Sequence, residues 1–298
     1  MHPRLLAKAA FLILSLMAAA AVAQTPAATP PGLPKNANEY VRQMIENELA
    51  SLKADHTHWR YHLHREDEKN NYDRDVIETP QGSLARTLLM FGKPLTAEQR
   101  EKDEERMRKL VSDPEEQTQR AKREKEDDER IEKMLRSISQ AFIFTYAGEE
   151  NGLLRLSFVP NPKWEPPNFE LRIFRSLQGN LWADVNANRL AGIDGTLIED
   201  VNFGWGLLGR LYKGGTFKVM QREIGEGHWT VVSEEINMNG RAVLFKTITR
   251  KQREILSDFI RVPDSITMSQ AYQMLQKPAE PASAGKQRAS SAVTSGKN

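Results

Sequence analysis

The chain has 298 residues, and its 42 lysines and arginines nearly balance 40 aspartates and glutamates, for a formal net charge of +2. That balance creates no field strong enough to require nucleic acid or an anionic membrane as partner. Cysteine is absent, which removes disulfides, thiolate metal sites, a cysteine nucleophile and the acylated cysteine of a bacterial lipoprotein together.

Arg4 and Lys8 precede an apolar run over 9–22, and Ala21-Val22-Ala23 has the small-x-small pattern of a signal-peptidase site. Residues 1–23 therefore read as a cleaved signal peptide, with a periplasmic destination. The run is shorter than the roughly 20 apolar residues a spanning helix needs, and no later stretch reads as a transmembrane segment. Residues 24–35, rich in Pro, Ala and Thr, read as a spacer. A single domain over 36–276 and a disordered tail over 277–298 complete the expected organisation.

From Asn36 or Asn38, the spacing of Tyr40, Val41, Met44, Ile45, Leu49 and Leu52 predicts an amphipathic helix covering one face of a sheet. Over 57–65, Trp59, Tyr61 and Leu63 alternate with Arg60, His62 and His64, the two-residue period of a strand with one buried face. His56, His58, His62 and His64 share a parity, and His-x-His can present two imidazoles to zinc. Arg60 sits within that row and repels a cation, and the sequence names no third ligand. The row is therefore read as a solvated strand face that gains charge below about pH 6.5.

Strand-like segments over 72–79 and 83–91 flank a Pro80-Gln81-Gly82 turn. Thr96-Ala97-Glu98-Gln99 is a capping box, and Asp113-Pro114-Glu115-Glu116 is a second, with proline at the first helical position. Charges of both signs fill the arms. The pattern predicts a helical hairpin over 96–139, inserted between two strands and projecting charged surface into solvent.

Alternation then places Phe142, Phe144 and Tyr146 on one strand face, Leu154, Leu156 and Phe158 on the next, and Phe169, Leu171 and Ile173 opposite Glu170 and Arg172 on a third. Leu181 to Val185, a turn at Asn186-Ala187-Asn188 and Arg189 to Ile198 form a hairpin. Strands over 216–224, 228–238 and 241–255 follow, with turns at Gly225-Glu226-Gly227 and Asn239-Gly240, and a short helix capped by Ser265 or Thr267 ends the domain. The fold class is α+β: a curved antiparallel sheet, an unclosed β-barrel, with covering helices and the charged hairpin inserted.

No catalytic signature emerges. There is no Gly-x-Ser-x-Gly, and the glycine-rich run over 202–209 interleaves bulky apolar residues and lacks a following Lys-Ser or Lys-Thr. Asp184, Asp194, Glu199 and Asp200 lie near turns, where acids are usually solvated. No catalytic residue, metal ligand or cofactor is assigned.

The run Gly179-Asn180-Leu181-Trp182-Ala183-Asp184, followed by Arg189-Leu190-Ala191-Gly192-Ile193-Asp194-Gly195, resembles the periplasmic lipoprotein-carrier superfamily, which includes the outer-membrane lipoprotein-sorting carriers. The similar pattern covers about residues 36–95 and 140–262, and the charged hairpin departs from it. The resemblance implies a half-barrel with helices as a lid that binds acyl chains or apolar polypeptide segments without catalysis. The sequence-level expectation is thus a periplasmic carrier or sensor of a lipid or lipidated protein. Trp59, Tyr61, Leu63, Phe142, Phe144, Tyr146, Phe169, Leu171 and Trp182 would line its concavity. The competing expectation is an interaction protein whose charged hairpin docks an envelope partner, its sheet face a filled core.

Overall fold

The computed structural model describes residues 30–203, 209–242 and 246–277. The expected signal peptide, most of the expected spacer, the middle of the glycine-rich run and the expected tail from 278 lie outside the described residues. No helix among those described is long and apolar enough to cross a membrane.

Helix α1 (Ala37–Ala54) starts where the Asn36 side chain accepts the Asn38 backbone N–H, and it buries Tyr40, Val41, Met44, Ile45 and Leu49 along one stripe. Four strands follow, β1 (His58–Asp67), β2 (Asn71–Ile77), β3 (Leu84–Met90) and the short β4 (Lys93–Pro94). Thr96 caps α2 (Ala97–Ser112) through a complete capping box, and Asp113 caps α3 (Pro114–Ala141) with proline at its start. The chain re-enters the sheet as β5 (Phe142–Glu150) and β6 (Leu153–Pro160). After a 3₁₀ turn come β7 (Leu177–Asp184), β8 (Arg189–Leu197), β9 (Val201–Phe203), β10 (Gly209–Leu211), β11 (Thr216–Gly225), β12 (His228–Ala242) and β13 (Lys246–Val262). Helix α4 (Met268–Leu275) ends the described chain, capped by Thr267.

All strands join one antiparallel sheet in the order β4-β3-β2-β1-β13-β12-β11-β8-β7-β6-β5, with β9 and β10 attached beside β12. The end strands do not pair with each other, so the architecture is α+β with a curved, open sheet rather than a closed barrel. Because side chains alternate, each strand contributes one set to either face.

Helices α1 and α3 cover one face at the β5–β8 end. There Ile131, Leu135 and Ile138 of α3 meet Phe142, Phe144, Phe158 and Leu181 in the largest core cluster. Near the other end of the sheet, α3 passes the β2–β3 turn: Arg120 Nη1 reaches the Ser83 carbonyl at 3.4 Å. The helix is 28 residues long, or about 42 Å, and so straps one end of the open sheet to the other. Helix α4 packs on the opposite face only at the β1–β3 end, where Leu275 and Met268 join Ile77 and Leu84.

Three local expectations are corrected. The segment read as a strand over 169–177 is a 3₁₀ helix (Glu170–Ser176), because Leu171 and Phe174, three apart, are the residues that bury. Asn239 and Gly240 do not turn; they lie within β12, paired with Thr249 and Ile248 of β13. The helical pair presents exposed charged surface as expected, but α3 does not project freely: its C-terminal part is buried through Ile131, Leu135 and Ile138, and Arg120 nearer its start meets the β2–β3 turn.

Candidate functional site: a polar groove on the uncovered sheet face

The apolar positions picked out by alternation are largely consumed by packing. Phe142, Phe144, Tyr146 and Leu171 are buried in the cluster under α1 and α3, and the Tyr146 hydroxyl donates to the Pro34 carbonyl at 2.7 Å. Trp59 and Tyr61, with Leu63 packed against them, belong to a separate small cluster with Val76 and Leu256. Trp59 is fixed on two sides: its indole N–H donates to Thr57 Oγ1 at 2.9 Å, and its ring lies 5.3 Å from that of His228, which pairs with Asp55. Trp182 points to the other face, toward Lys218 and Glu150. Phe169 is 53% exposed at the start of the 3₁₀ helix.

A buried polar network interrupts the helix-side face between those two clusters. Gln252 Nε2 donates to Glu234 and Glu254, both at 3.1 Å, while Arg65 donates to Glu254 at 2.9 Å and to Gln252 Oε1 at 3.1 Å. Glu234, Gln252 and Glu254 are all nearly inaccessible. Burial, with the nearby carboxylates of Glu78, Glu254 and Glu124, pushes the Tyr61 hydroxyl well above its usual range. Burial also raises Glu124 of α3. This face is therefore two apolar cores separated by polar groups, not one apolar concavity.

The open space lies on the opposite face. A groove of about 1360 Å³ crosses the strands, lined by residues from β1 at one end to β5 and β6 at the other. None of the nine residues selected by alternation lines it.

Two rows of side chains flank the groove, and strand register builds both. In the first, direct cross-strand neighbours run Glu66, Arg253, Glu235, Lys218, Asp194 and Asn180. Charges alternate along it, and Arg253 contacts Glu235 at 3.3 Å. Asp194 accepts from the Asn180 backbone and side chain at 2.9 and 3.2 Å. Opposite charges in register stabilise a sheet by about 0.2–1 kcal/mol each, so this row also holds the strands together.

The second row, two residues along each strand, runs Gln178, Thr196, Thr216, Asn237 and Lys251. Between the rows, Gly179 and Gly195 face each other across β7 and β8. A Cβ at Gly179 would collide with the Asp194 carbonyl, so glycine is needed there for the strands to approach. The row spacing follows from pairing: about 4.8 Å between strands and about 6.8 Å between rows.

The histidine row behaves differently from a solvated face. His58 is buried, while His62 Nε2 and His64 Nδ1 share one carboxylate oxygen of Asp73 at 3.0 and 3.1 Å. Arg60 pairs with Asp75. Among the described residues, no group of three or more His, Asp or Glu side chains is arranged to hold a metal ion.

The groove lies on the half of each strand that apolar alternation does not mark. Its signal is present in that half: Gln178 with Asn180, Asp194 with Thr196, Thr216 with Lys218 and Glu235 with Asn237 are polar pairs two apart on four strands.

No family model, no curated protein and no solved structure matches the chain.

Proposed function

We propose that this chain is an exported, non-catalytic binding protein that carries its cargo in the groove on the uncovered face of the sheet. The observation that carries the reading is the location of free volume: a groove of about 1360 Å³ lies on the polar face, while the aromatic face is packed under α1 and α3. An acyl chain or lipidated polypeptide, the cargo implied by the resemblance to lipoprotein carriers, would have to part those helices from the sheet. It would then lie against the Arg65–Glu254–Gln252–Glu234 network, at the desolvation cost of charged groups. The groove favours a polar or amphiphilic cargo over a bare acyl chain.

The docking-arm reading has less support. Along the outer side of α3, charges are spent on one another in local pairs, among them Arg130 with Asp127 and Arg136 with Glu132. Such pairs leave little directional field for a partner.

The native chain has no cysteine, so Val159→Cys, at an exposed position that lines the groove, introduces a single attachment point for an environment-sensitive fluorophore. Oligosaccharides, peptides and lysophospholipids are then titrated in turn. A saturable signal from at least one class is expected at this position, with a control label at Ala50→Cys on the exposed side of α1 unresponsive. A response confined to Ala50, or no saturable response from any class, would overturn the proposal.

A further inference from the structure

We infer that the cargo of this groove is a neutral, β-linked glycan strand, read by the row Gln178, Thr196, Thr216 and Asn237. The inference rests on the binding reading above and adds the ligand's chemistry.

The two flanking rows are not equivalent. The charged row is engaged in its own contacts, such as Arg253 with Glu235 and Asp194 with Asn180. In the other row, which ends in Lys251, no side-chain hydrogen bond to another described residue engages the four uncharged members Gln178, Thr196, Thr216 and Asn237. Gln178, Thr216 and Asn237 are exposed, and Thr196 is half-buried. Each of these side chains is both a donor and an acceptor, which suits a ligand covered in hydroxyl groups that are themselves both.

Spacing selects among polar polymers. The four residues sit in direct register on β7, β8, β11 and β12, so one polar side chain recurs every ~4.8 Å across the strands. A β-1,4-linked pyranose chain advances one sugar in close to that interval; successive sugars are turned over, but both edges of each carry hydroxyls, so each sugar would still meet one strand. An extended polypeptide returns a side chain to the same side only every ~6.8 Å and falls out of step within two strands.

Charge selects further. Glu66, Arg253, Glu235, Lys218 and Asp194 alternate in sign along the other wall, and Asp67 and Glu68 at the β1 end are joined by Lys251 in the second row, so the length of the groove carries both signs and no single-sign field to draw a polyanion or polycation. An uncharged chain avoids placing charges opposite like charges on that wall.

The test uses isothermal titration of the mature chain with cellohexaose and chitohexaose, and with the corresponding disaccharides. Saturable binding of a hexasaccharide is expected, with the disaccharide at least tenfold weaker because it meets only two strands. Thr196→Val/Thr216→Val keeps side-chain shape and strand preference while removing both hydroxyls, and should weaken the hexasaccharide about tenfold. Asn237→Ala serves as an independent second variant, expected to weaken binding several-fold. Circular dichroism and urea unfolding confirm that each variant is folded. Unchanged affinity in both variants, or failure of both hexasaccharides to bind, overturns the inference. If the Val159→Cys label responds to peptides or lysophospholipids alone, only the glycan assignment falls; if it responds to nothing, the binding reading falls as well.

Discussion

Glu48 and Arg189 lie 141 positions apart, yet the carboxylate accepts from the guanidinium at 2.7 and 3.1 Å and from the Leu190 backbone N–H at 2.7 Å. Both are buried, and the pair fastens α1 to β8. Removing one member leaves an uncompensated buried charge, so Glu48→Ala should cost about 3–5 kcal/mol. The loss would appear as a lower urea midpoint with an unchanged slope. A variant as stable as the parent would show that water reaches this pair.

His58 sets a pH dependence at the same scale. Burial pushes its imidazole down from 6.5 to about 4. The unfolded chain therefore takes up a proton near pH 6.5 that the folded chain refuses until about pH 4. Stability from this group is complete above the upper value and falls as pH drops through that window. Asp55 acts lower. Burial alone would raise its carboxyl, but hydrogen bonds from His228 and Thr57 hold it well below the usual range. Its contribution is present above about pH 4 and lost as pH falls further. Replacing His58 with Gln should flatten the unfolding free energy between about pH 6.5 and 4 while leaving the lower slope intact. An unaltered upper slope would assign it to another group.

At the scale of elements, the long helix α3 is held by both of its ends. Ile131, Leu135 and Ile138 anchor it in the main core, while Glu124 and Arg120 meet the β2–β3 turn. Leu135→Ala should destabilise the fold by about 2–5 kcal/mol and raise amide exchange in α3 more than in β7 or β8. Equal loss of protection everywhere would make the strap part of one cooperative unit with the sheet. Helix boundaries were legible in the sequence because capping is local: Thr96, Asp113 with Pro114, and Thr267 start their helices as their side chains dictate. The Gly225-Glu226-Gly227 turn was legible for the same reason, since all three residues take positive φ. Asn239-Gly240 carried an equally good turn signal and was overridden, because β10 and β13 pair on either side and keep the strand extended.

At the scale of the whole molecule, strand alternation announced two sheet faces but not which would be covered. That choice depends on where α1 and α3 land, through contacts such as Glu48–Arg189 and Leu135 with the β5–β8 core, and no local pattern encodes it. Apart from Phe169 and Trp182, the aromatics that drew attention in the sequence fill the core, and the groove falls to polar residues assembled from separate strands. The measurement that tests this account most directly is amide chemical-shift mapping of the chain during titration with a bound cargo. The account requires shifts clustered at Gly179, Gly195, Thr196, Thr216 and Asn237, with α1 and α3 unmoved. Shifts concentrated at Phe144, Leu135 and the buried side of α1 would place the cargo beneath the helices and contradict it.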